Sequence, residues 1–484
     1  MSEKLMIGMS QVDMTPLAPV SLRGQFHSRI SKSVESPLLV NVFAAEADGQ
    51  QIIICACDLL DVNAGFCERV RLLIRYRQAS IDVSKIIFCA THTHTGPSCF
   101  KTDNTLHVAA KYLPADMCFV DPNEIPEGVW LEEQCGAYIA EKMCEAVIMA
   151  WDKRKPASYS PSFGRAVIGH CRRIVYDDAS SKMYGAVDTS NFIALEGGND
   201  SGIELVYFFD ESRKPLGALV NVACPSQVVE HECYISSDYW GKVRDKVWDK
   251  LGEDFVVVGL CSAAGDQSPR DMIRKKESKA RREDPNMRTL DGAIEIGRRI
   301  SNVVLEQYEK AKHEIIDDAV IRHETLTIDF PLRTVTITEY QEAKQKFDDY
   351  VAKSGKKIFY PQDMSDLHVF GGIMERFATQ NQSYFYTSEI HVACFADIAI
   401  ATSPFELFLD YGNQIRARSA ATQTILIQLA CDSGGYLPTA KAEHGSHYSA
   451  TVSSGQTGHD GGRLLVSKTL DVIQKLLDRT GVSY

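Results

Sequence analysis

The sequence predicts an α/β fold in which a mixed central β-sheet is flanked by helices. Short apolar runs alternate with longer amphipathic segments from one end of the chain to the other. Hydrophobic residues make up 44% and charged residues 24% of the 484 residues, a composition that can bury a large core. The sequence holds no internal repeat and no Pro- or Ser-rich linker. We therefore predict one domain over 1–484, with a helical insertion at about 335–385; a domain boundary near residue 320 is the alternative.

The individual elements are predicted from the spacing of apolar residues. Residues 38–47 and 51–60 are strand-like runs on either side of an Asp-Gly turn, which indicates a β-hairpin. A helix over 63–79, a buried strand from Ile86 to Thr91 and a helix over 130–152 follow. Later strands are predicted at 203–209, 216–223, 255–261 and 392–401, and later helices at 239–251, 289–313, 338–353, 404–418 and 462–479.

Charge and cysteine content restrict the class of protein. With 64 acidic and 52 basic residues the net charge is −12, which argues against nucleic acid and anionic membrane surfaces as partners. No run of about 18 apolar residues occurs, so we predict no membrane insertion. The N-terminal segment lacks the apolar run of a secretory signal, and several of the 14 cysteines lie inside apolar runs, with no CxxC pair. These features predict a cytoplasmic protein with reduced thiols and a small-molecule substrate; homo-oligomer formation is left open.

The most informative motif is THTHTGP at residues 91–97, directly after the apolar run KIIFCA. In an extended chain, residues i and i+2 point to the same face, so His92 and His94 emerge side by side where the strand ends. Neutral imidazole is a common metal ligand, and ligands gather at strand ends in α/β sheets. We predict a functional site here; the alternative is a pair of polar residues at a strand exit.

A second candidate is the turn that follows the predicted strand at 255–261. Its residues, CSAAGDQSPR, let the backbone approach a ligand closely and present Asp266 and Ser268. The Ser268 hydroxyl could act as a nucleophile or donate a hydrogen bond. Alternatively, the segment is a simple turn in which Asp266 caps its own backbone.

Two further segments follow apolar runs nearer the C-terminus. In SPFELF, Ser403, Pro404 and Glu406 fit the N-cap, first and third positions of a helix, and this capping box accounts for Glu406 without a catalytic role. A carboxylate at such a junction could still reach a ligand at the same sheet edge. The turn GGYLPT presents Tyr436, and a lone tyrosine is more often half-buried core than ligand. The glycine-rich segment 441–462 is expected to fold over the pocket mouth.

Taken together, these motifs carry a family resemblance. VDMTP, CDLLDV, ATHTHTGP, AGDQSP, SPFELF and GGYLPT occur in the order of the neutral ceramidases, and the sequence resembles that family over nearly its whole length. The family consists of zinc-dependent amidases that cleave N-acylsphingosines. The resemblance implies that His92, Glu406 and Tyr436 bind one Zn²⁺, although another divalent ion could take its place.

The resemblance also implies catalytic roles. His94 would move a proton or stabilise the oxyanion, and Asp266 and Ser268 would lie beside the scissile group. The implied activity is that of a metal-dependent hydrolase, in which metal-activated water attacks a carbonyl.

The sequence departs from the family at one metal ligand. The family's second zinc-binding histidine stands in a strand exit that here reads NVACPSQ, at residues 221–227, without a histidine. Either another residue replaces this ligand, or metal binding is weakened or lost. The signal and C-terminal immunoglobulin-like domain of extracellular members are not expected either. The expected replacement ligands, in order of preference, are His231, Glu230, Gln227 and Cys224.

Basic residues near the motifs bear on the substrate. Arg172, Arg173 and Arg270, together with Gln227, are the predicted substrate-binding residues, because a guanidinium can hold a carboxylate or hydroxyl groups. Arg270 begins the stretch 270–282, which carries seven Lys/Arg and is either a solvated loop or a mobile lid. We expect a soluble amide, ester, lactone or sugar derivative in place of ceramide. Lyase or isomerase chemistry on a sugar acid and a non-catalytic binding protein are the alternatives.

Overall fold

The computed structural model describes residues 4–101, 105–120, 125–281 and 287–478. The predicted α/β class is confirmed, because strands form a large mixed sheet and a smaller sheet whose outer faces are covered by helices. Residue 282 of the basic stretch and residue 479 of the last predicted helix lie outside the described residues. The division into domains stays a prediction.

The large sheet has two halves, each of four strands in the described part of the chain. Within each half only the outermost pair of strands is parallel. Where the two halves meet, the strand ladder in the described chain consists of two register pairs, Met6 with Pro156 and Ile7 with Lys155. This short join lets the halves fold toward each other, so that strand Val256–Cys261 packs on the opposite half. Counted from the join, the strands are Met6–Asp13, Leu39–Ala47, Gln50–Cys57 and Ile86–Ala90 in the first half, and Lys155–Arg165, Gly202–Asp210, Pro215–Val222 and Val256–Cys261 in the second.

The small sheet forms a third wall around the same core. Its inner face contributes Phe395, which packs edge-to-face on Phe43 of the first half and on Phe208 of the second. Phe43 and Phe208 themselves stack with ring centroids 4.4 Å apart. Burial of each such ring contributes about 1.5–3 kcal/mol, so this shared core holds the three walls together. In spatial order, the strands are Ile321–Pro331, Phe385–Phe395, Ile398–Thr402 and Gln423–Ile427, of which the last two are parallel.

Helices cover the outer face of each wall. Their apolar sides form separate clusters with the first half, the second half and the small sheet. In that order, the helices are Ala64–Arg77 with Glu132–Asp152, Tyr239–Leu251 with Leu290–Ala311, and Leu409–Arg418 with His459–Asp478. Helices Ile337–Ser354 and Pro361–Thr379 occupy the predicted insertion and pack with Thr105–Ala110. Shorter helical segments are Lys275–Arg281, Ala440–Gly445, Val83–Lys85 and Val452–Ser454.

Most predicted elements occur within a few residues of their expected positions. The hairpin forms because Asp48 and Gly49 adopt φ angles of 49° and 70°, as a type I′ turn requires. The helix after it begins at the N-cap Asn63, whose side chain accepts the Phe66 N–H. Short paired strands also occur, and sequence did not predict them: Ser21–Leu22 with Arg29–Ile30, Cys118–Phe119 with Ile358–Phe359, His170–Cys171 with Gln267–Ser268, and Arg173–Tyr176 with Ser181–Met183 and Phe192–Leu195.

Two predicted elements are wrong. The strand expected at 392–401 is a hairpin of Phe385–Phe395 and Ile398–Thr402, because Ala396 turns the chain with a φ of 53°. The helix expected at 404–418 begins only at Leu409. Tertiary pairing with another strand overrides the local capping signal there.

Strand ends from all three walls meet on one side of the core. The His94 N–H donates to the Ser226 carbonyl at 3.1 Å, which joins the first wall to the second. The Gly265 N–H donates to the Leu407 carbonyl at 2.9 Å, which joins the second wall to the third. The loops that carry the predicted site residues are therefore brought together.

No helix among the described residues is long and apolar enough to cross a membrane. All 14 cysteines are free, and most of them are buried. The buried cysteines act as small apolar side chains of the core.

Candidate active site

The converging loops enclose a cavity of about 620 Å³. Loops from all three walls line it, together with one residue of the helical insertion. The charged and histidine side chains in the wall are Arg23, Arg172, Arg270, Arg288, Glu230, Glu406, His92, His94, His231, His368 and His447. A second cavity of about 740 Å³ lies under the insertion and shares His368, His447 and Tyr448 with the first.

His92 is held by its backbone and by its ring. Its φ of 64° lies in the left-handed region, which costs a non-glycine residue free energy and is typical of functional sites. Nδ1 lies 2.7 Å from the Leu60 carbonyl, so Nδ1–H donates there. Nε2 is then left with its lone pair toward the cavity, which is the arrangement found in metal-binding histidines.

Glu406 and Tyr436 are brought together by a short strand pair. Glu406–Leu407 pairs in parallel with Tyr436–Leu437, and Glu406 is the register partner of Tyr436. The Glu406 N–H donates to the Gly435 carbonyl at 2.9 Å, so the backbone serves this pairing and not a capping box. Burial raises the pKa of the Tyr436 hydroxyl well above its ordinary value, and the nearby Glu406 carboxylate raises it further.

The donor set in the cavity fits a divalent cation such as Zn²⁺. His92 Nε2 lies 3.5 Å from Glu406 Oε2, and both groups are acceptors in this tautomer. Two acceptors facing each other in a mostly buried site need a proton or a cation between them. Imidazole nitrogen, carboxylate and phenol oxygen are ligand types that Zn²⁺ accepts.

Arg172 provides a fixed positive charge beside this group. It is only 4% exposed, and its Nη2 donates to the Tyr436 hydroxyl at 3.3 Å and lies 4.0 Å from Glu406 Oε2. Its Nη1 donates to Gln227 Oε1 and to the Tyr184 hydroxyl, each at 3.2 Å. The guanidinium thus orients the tyrosine and repels a second cation placed next to it.

His94 also lines this cavity. Its Nδ1–H donates to the Gly24 carbonyl at 2.9 Å, and its buried Nε2 has no hydrogen-bond partner among the described residues. Burial lowers the pKa of His94 well below its ordinary value, and the nearby His92 lowers it further. A neutral imidazole with a free lone pair can accept a proton from a substrate or from water.

Replacing Gly24 with alanine is expected to displace His94. Gly24 has a φ of +105°, and a Cβ there would lie 2.7 Å from His94 Nδ1. We expect Gly24→Ala to lower kcat by about 10²-fold, because misplacing a catalytic group by about 1 Å has that effect, while the metal content stays unchanged. Gly355→Ala is the control, because Gly355 also has a positive φ but faces open space. Equal activities of the two variants would contradict a role for His94 in turnover.

The four candidates for the missing metal ligand lie in different surroundings. His231 is 42% exposed in its side chain and contacts Arg288 and Glu230. Glu230 lines the cavity and pairs with Arg270. Gln227 lines the cavity with both ends of its amide engaged, since Oε1 accepts from Arg172 and Nε2 donates to Tyr184. Cys224 is fully buried, with its thiol directed to backbone carbonyls outside the cavity lining. Among the described contacts, none of these residues bonds to His92, Glu406 or Tyr436.

Three predicted site residues lie behind the cavity wall. Ser268 is fully buried, within 3.3 Å of the Tyr184 hydroxyl and of Gln227 Nε2, so it supports residues that line the cavity. Arg173 pairs with buried Glu196 and donates to the Ser446 carbonyl at 2.7 Å, which ties down the glycine-rich segment. Asp266 Oδ1 accepts the Leu409 N–H at 2.9 Å, at the start of helix Leu409–Arg418. Its place is that of a helix cap.

The cap assignment of Asp266 predicts a pH-dependent stability. Burial raises the pKa of this carboxyl from 3.8 to about 6, so the folded state favours the protonated form and loses stability as the pH rises between these values. Asp266→Asn keeps the acceptor without the charge. We expect the stability of the variant relative to wild type to increase over this range by at most about 3 kcal/mol and then to level off, as measured by urea unfolding. A flat difference together with lost activity would instead support a catalytic Asp266.

Several cavity residues were not predicted. Arg23 is held by Asp61 of the CDLLDV motif at 2.8 Å, and Tyr184 has a φ of 53° in a loop without a motif. His368 comes from the helical insertion, for which sequence offered no functional signal. Only the glycine-rich segment had a signal, and its His447 and Tyr448 lie in the wall, whereas His444 and His459 do not.

A separate group of metal-binding side chains lies outside this cavity. The side chains of Glu389, His391 and Cys431 offer ligand atoms that all lie within 4.8 Å of one another. They could hold a metal ion, and no other such group of three His, Cys, Asp or Glu side chains occurs in the described part of the chain.

Comparison with known proteins establishes the fold. The chain superposes on the neutral ceramidase from Pseudomonas aeruginosa with a TM-score of 0.70 at 14% sequence identity, covering 99% of this chain and 75% of that one. The fold is that of the neutral ceramidases. A ceramidase complexed with C2 gives a TM-score of 0.68, again at 14% identity, over 99% of this chain and 76% of the other. No family model and no curated protein matches the sequence. The neutral-ceramidase fold inferred from the six motifs is therefore confirmed by structure where overall sequence similarity is low.

Proposed function

We propose that this chain is a metal-dependent hydrolase of the ceramidase kind that acts on a soluble amide, ester or sugar-derived substrate. The observation that carries the proposal is the convergence of His92 Nε2, the Glu406 carboxylate and the Tyr436 hydroxyl in one cavity. His92 comes from the first wall and lies more than 300 positions before Glu406 and Tyr436, which come from the third wall. The fold likeness to ceramidases supports the same conclusion.

His92, Glu406 and Tyr436 are the residues that would hold the ion. When bound, a Zn²⁺ ion here would polarise a substrate carbonyl and lower the pKa of a bound water to about 7. Because Arg172 sits beside the pair, it lowers the affinity of the site for a dication and favours a substrate that brings negative charge.

The remaining residues act on the substrate directly. His94 Nε2 would take a proton from the attacking water and return it to the leaving group, since this buried nitrogen has no hydrogen-bond partner among the described residues while Nδ1–H donates to Gly24. Arg172 would hold the developing oxyanion together with the Tyr184 hydroxyl, to which it is bonded. Ser268 supports Tyr184 and Gln227 and is not the nucleophile in this proposal.

The cavity favours a polar substrate. Its charged lining includes four arginines against two glutamates, and two of the arginines pair with their neighbours, Arg270 with Glu230 and Arg23 with Asp61. A carboxylate or phosphate on the substrate could bind the arginines of the lining, because a guanidinium holds such a group through two hydrogen bonds. The adjoining cavity under the insertion offers room for a second part of the substrate.

The test uses the full chain loaded with Zn²⁺ and a panel of N-acyl amino acids, short esters and lactones in ¹⁸O-labelled water. Hydrolysis predicts one solvent oxygen in the product carboxylate, and Glu406→Gln should lose this activity whereas Glu204→Gln, which lies outside the cavity, should keep it. Faster turnover of short-chain ceramide analogues than of every charged substrate would overturn the proposed substrate class.

Lyase or isomerase chemistry on a sugar acid is the second candidate. The observation in its favour is that Arg172 and His94, whose Nε2 has no partner among the described residues, line the same cavity. Arg172 could bind a carboxylate while His94 abstracts the proton next to it. An ultraviolet-absorbing unsaturated product without solvent oxygen would identify a lyase, and a product of unchanged mass without solvent oxygen would identify an isomerase. Either result would exclude hydrolysis.

A further inference from the structure

The cluster of Glu389, His391 and Cys431 lies where the small sheet meets the first half of the large sheet. Glu389 and His391 are on strand Phe385–Phe395, and Cys431 lies in the loop after Gln423–Ile427, where its N–H donates to the Phe88 carbonyl at 2.8 Å. Arg71 reaches the cluster from helix Ala64–Arg77 and contacts Glu389. None of these residues lines the cavity of the candidate active site.

A chain of close contacts runs through two histidines to the carboxylate. His323 Nδ1 lies 3.1 Å from the Gln51 carbonyl, and His323 Nε2 lies 2.9 Å from His391 Nδ1. His391 Nε2 lies 2.8 Å from Glu389 Oε1. Both ends of the chain, a carbonyl and a carboxylate, can only accept hydrogen bonds.

The contacts outnumber the protons available to fill them. Two neutral imidazoles carry one N–H each, so they supply two protons for three contacts, whichever tautomers they adopt. One pair of acceptors is therefore left facing each other inside the protein, which costs free energy. Either an extra proton or another cation must fill that place. An imidazolium is costly here because His391 is fully buried and His323 is 5% exposed.

The position of Cys431 indicates where the cation would bind. Its Sγ lies 3.4 Å from His391 Nε2, on the same nitrogen that faces Glu389. A tetrahedral Zn²⁺ holds neighbouring nitrogen, oxygen and sulfur ligands about 3.4–3.6 Å apart. The nitrogen–sulfur distance already matches, and the carboxylate of Glu389 would need to retreat by roughly half an ångström.

We propose that Glu389, His391 and Cys431 form a second metal site, a Zn²⁺ site that is separate from the candidate active site. Imidazole, carboxylate and thiolate together favour Zn²⁺ over the oxygen-preferring Ca²⁺ and Mg²⁺. Glu389 is 28% exposed in its side chain and provides the access route. The His323 relay fixes the His391 tautomer as the supporting shell of a metal site does. Arg71 contacts Glu389 and offsets part of the ligand charge, so we expect a structural site of moderate affinity that locks the small sheet to the large one.

Cobalt substitution tests the site, because only a cysteine ligand produces a thiolate-to-metal charge-transfer band in the near ultraviolet. Co²⁺ is titrated into four metal-free proteins: wild type, Cys431→Ser, Cys394→Ser and His92→Ala. Cys394 is the matched control, since it is a buried cysteine on the same strand as Glu389 and His391 but packs in the cluster on the sheet's other face. We expect the band in wild type, Cys394→Ser and His92→Ala, and its loss in Cys431→Ser together with one equivalent of bound metal.

X-ray absorption of the zinc-loaded wild type provides a second measurement that needs no variant. We expect sulfur at about 2.3 Å, with an average of about half a sulfur per zinc ion when the sulfur-free cavity site is also filled. A cobalt spectrum without a thiolate band, or equal metal content in the two cysteine variants with no sulfur scatterer, would overturn the proposal and assign the third contact to a proton. His92→Ala separates this site from the proposed function, because it should empty the cavity site alone.

Discussion

His92→Ala is expected to remove the metal from the cavity and to lower turnover on the identified substrate by about 10³-fold or more. The variant loses the nitrogen that faces Glu406 at 3.5 Å, and a metal acting on a carbonyl supplies several kcal/mol of transition-state stabilisation. The fold should persist, because His92 occupies a strained left-handed conformation that alanine also adopts at similar cost. Metal content by mass spectrometry and kcat/KM are the measurements.

His231→Ala is the informative companion to that experiment. His231 was the preferred replacement for the missing ligand, but it contacts Arg288 and Glu230 at the exposed side of the cavity. We therefore expect His231→Ala to retain the metal and to change KM more than kcat. Loss of the metal from both variants would restore His231 as a ligand, and an active metal-free His92→Ala would end the hydrolase proposal.

Asp58→Ala is expected to cause the largest loss of stability. Asp58 is fully buried and forms a two-pronged ion pair with Arg244, at 2.6 and 2.8 Å. It also accepts the Leu39 N–H at 2.8 Å and the Thr91 hydroxyl at 3.1 Å. Removing one partner of a buried pair strands the other charge, so we expect a loss of about 3–5 kcal/mol in the free energy of unfolding.

Urea unfolding of three variants checks this explanation. The double variant Asp58→Leu with Arg244→Leu should lose less stability than Asp58→Ala alone, because it leaves no unpaired buried charge. Asp152→Ala, a change at an exposed residue, should stay within about 0.5 kcal/mol of wild type. A double variant less stable than the single one would show that the pair contributes net stability of its own.

The contacts of Asp58 and Asp61 also account for the CDLLDV motif. Neither aspartate is among the residues that line the cavity: Asp58 anchors helix Tyr239–Leu251 through Arg244, and Asp61 holds Arg23 at the cavity. Sequence identified the motif as part of a family pattern but assigned it no role. Arg244 lies 186 positions from Asp58 in the sequence, and Arg23 lies 38 positions from Asp61, so only the fold brings these pairs together.

Glu406 shows the limit of local reasoning most clearly. Its spacing after Ser403 and Pro404 fits a capping box, and that interpretation is locally sound. The chain instead forms a strand there because the backbone of Gly435 and Tyr436 offers a parallel partner. Pairing across 30 residues decided the conformation that local propensity left open.

The sequence by itself determined most of the elements and the candidate site positions on them. Apolar periodicity located most strands and helices, and THTHTGP identified His92 and His94 at a strand exit before any contact was known. These are short-range properties, because the side-chain repeat of a strand or helix is set by backbone geometry within a few residues.

The tertiary structure decided which of those positions share a cavity. Arg172 lies beside Glu406 and Tyr436, whereas Asp266 caps a helix and Arg173 is locked to Glu196. Arg172 therefore reaches the cavity while Arg173 points away from it, because successive residues of an extended segment point to opposite faces. Which face meets the cavity depends on how three walls pack around one core, and that packing joins residues hundreds of positions apart.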